Sequence, residues 1–131
     1  MPMHIYFDND EKTIIRCDSS GSWTWDEYHE AIEEIAAMIR GVSHRVDLIT
    51  VPDNTATNPP GSPQPHFERA LKLYPPNMGL NVLVSDNFFA RAILSLWRRM
   101  PGNKLGNAIV LVPSVEEAYA LVARESAKGL V

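Results

Sequence analysis

The 131-residue chain has a single cysteine, Cys17, so no internal disulfide framework can tie it together, and such usage suits a reducing compartment. Basic residues are in the minority. Twelve Lys and Arg against sixteen Asp and Glu give a formal net charge of -4, which argues against a general electrostatic grip on nucleic acid. No apolar run approaches the length of a membrane span. The opening MPMHIYFDND lacks the basic start and apolar run of a signal peptide, so the expected location is cytoplasmic. Also missing are G-x-G-x-x-G, G-x-x-x-x-G-K-[ST], C-x-x-C and H-E-x-x-H. Those absences remove the common dinucleotide, P-loop, dithiol and zinc-protease templates, and no cofactor or metal is expected. There is no internal repeat. The composition is 45% hydrophobic and 21% charged, ordinary for one globular domain spanning 1–131.

What is present is organised around residues 79–112. They read GLNVLVS, then DNFFARAILSLWRRMPGNKLGN, then AIVLV, a strand, a helix and a second strand. Both apolar runs are short, valine-rich and bounded by turn residues, as buried strands are, and the intervening helix suits parallel pairing through a right-handed crossover. On the helix, Phe89, Ala92, Ile93, Leu96, Trp97 and Met100 form the predicted buried stripe. Arg91, Arg98 and Arg99, with Lys104 in the following loop, are the one basic concentration. They form a candidate face for an acidic partner or anion, and equally a solubilising face.

The chain opens with two β-prone runs, residues 4–7 and 13–17, which predict a hairpin. Ile15 and Cys17 share one strand face with Arg16 and Asp18 opposite, so Cys17 reads as a small core hydrophobe. Thr24 and Glu27 then form a capping-box signature. Trp25, Tyr28, Ile32, Ile35, Ala36 and Ile39 return at helical spacing, and Gly41 is the predicted stop. The acids Asp26, Glu27, Glu30, Glu33 and Glu34 read as a solvated helix face. The next strand, RVDLITV at 45–51, carries apolar groups on both faces and is predicted to be internal.

Residues 53–65, DNTATNPPGSPQP, are the one long stretch without periodicity, and no helix is expected before Gln64. Loops at the C-terminal ends of parallel strands are where α/β folds bind ligands. Asp53, Asn54, Thr55, Thr57 and Asn58 are therefore the candidate ligand or partner site; the same residue types also cap and turn backbone. A short helix over Phe67, Ala70, Leu71 and Tyr74 follows, and Asp86 or Asn87 caps the helix after the next strand. His66 and Glu68 lack a third ligand at zinc spacing. Ser85, His66 and Asp53 can be drawn as a triad only by choice, because Ser85 has no G-x-S-x-G elbow. Ser114 and Glu117 repeat the capping-box pattern before a final helix. The predicted order is β-β-α-β-α-β-α-β-α, a mixed α/β sheet of four or five strands with helices against it.

That order resembles the STAS domain, the fold of bacterial anti-sigma-factor antagonists of the SpoIIAA type. The resemblance covers nearly the whole chain. It rests on the opening hairpin, Gly21-Ser22-Trp23-Thr24 before the first helix, a strand ending near Asp53, and Ser114-Val115-Glu116-Glu117-Ala118. In the family the third strand leads into an Asp-Ser-Ser-Gly-like segment whose serine a partner kinase phosphorylates. Here the segment reads Asp53-Asn54-Thr55-Ala56-Thr57 with a proline-rich insertion, so no serine matches, and Thr55 or Thr57 is only a speculative replacement. The resemblance implies a non-enzymatic interaction or regulatory module with a protein partner. The alternative is a small-ligand-binding protein or enzyme with a pocket under the 53–65 loop. A homodimer is a further expectation, through the open edge of the hairpin or through Trp23, whose other reading is a staple against the first helical turns.

Overall fold

The computed structural model describes residues 3–99 and 109–128. Five strands and, among the described residues, four helices follow the predicted alternation. They are β1 (Met3–Phe7), β2 (Ile14–Ser19), α1 (Trp25–Arg40), β3 (Val46–Pro52), α2 (Gln64–Leu73), β4 (Met78–Val84), α3 (Phe88–Arg99), β5 (Val110–Val112) and α4 (Val115–Lys128). The sheet order equals the chain order, β1-β2-β3-β4-β5. β1 is antiparallel to β2, and every later pair is parallel.

Each parallel step moves to the adjacent strand in the same direction, so right-handed crossovers deliver α1, α2 and α3 to one face. The side chains pack accordingly. Ile32, Ile35 and Ile39 of α1 and Ala70 of α2 meet Ile15, Cys17, Val46 and Leu48. Leu94 of α3 joins Phe67, Leu71 and Leu111. The opposite face is covered by α4, whose Ala118 and Val122 pack on Ile49, Val82 and Val84. This helix touches β3, β4 and β5, and the β1–β2 end of its face carries the polar side chains His4, Tyr6, Arg16 and Asp18.

Thr24 caps α1 as its spacing predicts. Its Oγ1 accepts the Glu27 N–H at 3.1 Å, and Glu27 Oε1 accepts the Thr24 N–H at 3.1 Å. Thr24→Ala is expected to lower stability by about 1 kcal/mol, the usual worth of such a cap, measured by urea unfolding; an unchanged midpoint would remove the cap from the account. Trp23, directly before the cap, lies 5.8 Å from Tyr28 between ring centroids, which is the staple geometry. The last helix keeps half of its predicted box, the Glu117 N–H donating to Ser114 Oγ.

The stop at Gly41 and the internal place of β3 hold with added detail, and the α3 stripe is corrected in part. Gly41 ends α1 in right-handed geometry, φ -72°, so it does not act through a glycine-only conformation. The carbonyls beyond are served by the Asn77 side-chain amide, whose Nδ2 lies 3.0–3.1 Å from those of Ile39, Val42 and His44. On α3, Ala92 and Leu96 are exposed, Leu96 at 58%, while the unforeseen Leu94 is buried. On that side Leu94 meets Phe67 and Leu71 of α2 and Leu111 of β5. Met100, and the side chains of Phe89, Ile93 and Trp97, lie outside the described part. Finally, β3 is internal, but its Asp47 is buried at 1% exposure. Between Val46↔Met78 and Leu48↔Asn81, β4 carries one residue more than β3. The Asp47 carboxylate fills this bulge, accepting the Leu80 N–H at 2.7 Å and the Arg45 Nε and Nη2 at 3.0 and 2.8 Å.

Candidate functional site

β2 and β3 run parallel and end together at Ser19 and Pro52, so the turn before α1 and the loop after β3 emerge side by side. Backbone bonds clip them. The Asp53 N–H donates to Ser19 O at 2.9 Å and the Thr57 N–H to Gly21 O at 2.9 Å, which makes a short parallel bridge between Ser22 and Thr57. Side chains complete the clip. Asp53 Oδ1 accepts both the Thr55 N–H, at 2.8 Å, and the Thr55 hydroxyl, at 2.6 Å. Thr55 Oγ1 in turn accepts the Gly21 N–H at 2.9 Å, and Thr57 donates to Ser22 Oγ at 3.2 Å. Gly21 has φ 64°, the left-handed region that favours glycine at such a turn. The hydrogen bonds from Thr55 hold the Asp53 carboxyl below its ordinary value. Of the five predicted loop residues, Asp53, Thr55 and Thr57 therefore act together, whereas Asn54 and Asn58 are simply exposed.

Asp53 also borders a shallow cleft of about 310 Å³ on the α4 side of the sheet, with His4, Arg16, Asp18, Ser19, Ser20 and Val51. Its charged groups are already paired. Arg16 Nε and Nη2 reach Asp18 Oδ1 at 3.0 and 2.8 Å, and Arg16 Nη1 donates to the Tyr119 hydroxyl at 3.0 Å. The Tyr6 hydroxyl donates to Asp18 Oδ2 at 2.7 Å, a bond that pushes the phenol up to about 12. Tyr119 donates to Asp8, and burial together with that bond raises its phenol. The Arg16–Asp18 alternation in β2 was visible in the sequence, but Tyr119 reaches it from 103 residues away, which no local pattern encodes.

The basic concentration on α3 does not join this rim. Arg91, Arg98 and Arg99 are exposed on α3, and Arg91 Nη2 donates to Asp86 O at 3.1 Å. Lys104 lies outside the described residues.

Sequence reasoning missed a second cluster, where α1 meets α2. His29, buried at 7% exposure, places Nε2 2.9 Å from His66 Nδ1. The His66 ring stacks on Trp25 at 4.0 Å and 5° between planes, and the Trp25 indole N–H donates to Pro60 O at 3.1 Å. The signal was present in the helical spacing, since His29 falls four residues after Trp25 and three before Ile32.

For covalent chemistry the site offers little. Burial pushes the Cys17 thiol up to about 12, far from a reactive thiolate. Ser85 Oγ accepts the Asn87 N–H, as a turn residue does. Among the described residues, no group of three or more His, Cys, Asp or Glu side chains converges as a metal site would require. No described helix is long and apolar enough to cross a membrane. Comparison with known proteins returns no match: no family model fits the chain, and neither a curated protein nor a solved structure is significantly similar to it.

Proposed function

We propose that this chain is a non-enzymatic interaction module of the STAS type, whose clipped 53–57 loop and 19–22 turn form the surface read by a protein partner. The observation that carries the reading is the clip itself. The Asp53 carboxylate and the Thr55 hydroxyl bond to each other, and the Thr55 and Thr57 hydroxyls each bond to the turn before α1, with no shared target inside a cavity. A pre-ordered outer surface binds without the entropy of ordering a loop, whereas a catalytic loop needs polar groups aimed at a reacting atom. The strand order, the hairpin and the placement of the loop after the third strand fit the family likeness, in which that loop meets the partner. The kinase-linked serine has no counterpart. A phosphate on Thr55 would take away the proton given to Asp53 and set like charges together, opening the clip.

Affinity capture from the native cell with the wild-type chain, followed by binding measurements on the purified partner, tests this reading. Thr55→Val keeps the shape and removes both hydroxyl bonds. It is expected to weaken the partner by about tenfold, the equivalent of roughly 1.4 kcal/mol, at a thermal midpoint close to wild type. Equal affinity of the two chains would end the assignment of this surface. The second reading, a small-ligand protein, rests on the cleft that Asp53 shares with Arg16 and Asp18. Recovery of a stoichiometric small molecule, released by Arg16→Met and indifferent to Thr55→Val, would favour it.

A further inference from the structure

We propose that the His29–His66 pair is a proton-sensitive latch: when the pair takes up one proton its rings part, and the proline loop and the first turn of α2 are released from α1. The latch links three segments. Pro60 of the loop is held by the indole of Trp25, Trp25 carries the stacked His66 of α2, and His66 is hydrogen-bonded to His29 of α1.

The chemistry follows from the one buried nitrogen of the pair that lacks a partner. His29 Nδ1 is buried and makes no hydrogen bond. A neutral imidazole has one N–H and one lone pair. If His66 donated to His29, then His29 would carry its proton on Nδ1, a buried donor with no acceptor. If His29 donates through Nε2, the orphan is only a bare lone pair, the lesser penalty. The bond therefore runs from His29 Nε2–H to His66 Nδ1, and His66 holds its own proton on Nε2.

An additional proton has no good place in this arrangement. On His66 it must occupy Nδ1, where it either meets the His29 N–H head on or drives His29 to its Nδ1–H tautomer, a buried donor with no acceptor. On His29 it must occupy Nδ1, which puts a cation in a buried site lacking an acceptor. The charged neighbours come from both helices, Asp26 and Glu33 on α1 favouring the cation and Arg69 on α2 opposing it. Burial, followed by Arg69 and His66, outweighs the two carboxylates and holds His29 below the ordinary histidine value. Acidification through the range where histidines ordinarily charge thus favours the parted pair, with the rings turned to water. The other two histidines of the described residues lie elsewhere, His4 against Tyr6 and His44 on Lys12 O.

Amide hydrogen exchange of the full chain at pH 7.5, 6.5 and 5.5, corrected for intrinsic rates, tests the latch. The amides of residues 54–67 are expected to open at least tenfold more often at pH 5.5 than at pH 7.5, with β3 and β4 unchanged. His66→Asn keeps an acceptor near the Nδ1 position but cannot charge, and should flatten that dependence. Ring nitrogen NMR of the wild-type chain at pH 7.5 should show His29 as the Nε2–H tautomer, a readout that stands even if the variant fails to fold. A flat wild-type profile, a rise that survives in His66→Asn, or an Nδ1–H tautomer at His29 would each overturn the proposal.

Discussion

Asp47→Ala is expected to destabilise the fold by about 3 kcal/mol, and Gly79→Ala by a similar amount. The Asp47 carboxylate is buried, and one of its oxygens accepts three N–H donors. Arg45 is about one-third exposed and can rehydrate, so its share of the loss is modest. The Leu80 N–H cannot. Leaving that buried donor unpaired costs about 1–3 kcal/mol, and the emptied bulge loses packing as well. Gly79 belongs to the same feature, because a Cβ there would come within 2.2 Å of Arg45 Nε and of Asp47 Oδ1. The arginine can swing away. The buried carboxylate cannot move without surrendering the Leu80 bond. The two substitutions should therefore couple. With the carboxylate gone, the methyl at position 79 has room, and the double variant should lose at least 1 kcal/mol less than the two single losses added together. Urea unfolding of the four proteins measures this, and strict additivity would show that Gly79 and Asp47 act separately.

The second large effect is expected at Asn77. Its amide closes α1 by serving the carbonyls of Ile39, Val42 and His44, while its own carbonyl accepts the Val46 N–H at 3.0 Å. The side chain thus fixes a helix end, while the backbone carbonyl of the same residue holds the entry to β3. Two N–H groups serve three acceptors, so the individual bonds are shared, and the loss in Asn77→Ala should be about 2–3 kcal/mol, not three full bonds. Asn77→Asp is the sharper probe. It preserves shape but turns a carboxylate toward three carbonyl oxygens at neutral pH, and should be worse than alanine, with partial recovery once acid protonates it. If Asp and Ala variants unfold at the same urea concentration at every pH, the amide does not hold the helix end.

Much of the architecture was legible because local signals agreed. The Thr24 box, the valine-rich runs and the proline-dense stretch ending at Gln64 each sit where composition placed them, and the loop after β3 was recognisable as the rim of the parallel strands. What escaped depends on partners distant in sequence. Asp47 reads as an alternating polar strand residue until a bulge in β4 brings Leu80 N–H to it. Asn77 reads as connector, and nothing within ten residues reveals that α1 ends on it. Gly41 does stand at the end of α1, but in a right-handed conformation that does not depend on glycine. At the candidate site, the residue types of 53–58 drew attention, but which of them would bond to the turn before α1 is a property of the β2–β3 pairing, not of the loop.

Because the strands lie side by side in the order in which they are synthesised, no strand has to be threaded between two already paired. Each new βα unit finds its docking edge in the one just completed, and the loops to be closed stay short, so the entropic penalty of each step is small. A nascent chain can extend this sheet from one end as it leaves the ribosome. The exception is α4, which must come back across the other face. Its Tyr119–Arg16 contact joins the last helix to the first hairpin, so the ring of contacts closes only when almost everything between them has been made. Until then Ile49, Val82 and Val84 present a bare apolar surface. The half-made domain is therefore most exposed to aggregation on the face that α4 will cover, and that exposure lasts as long as translation takes to deliver one helix.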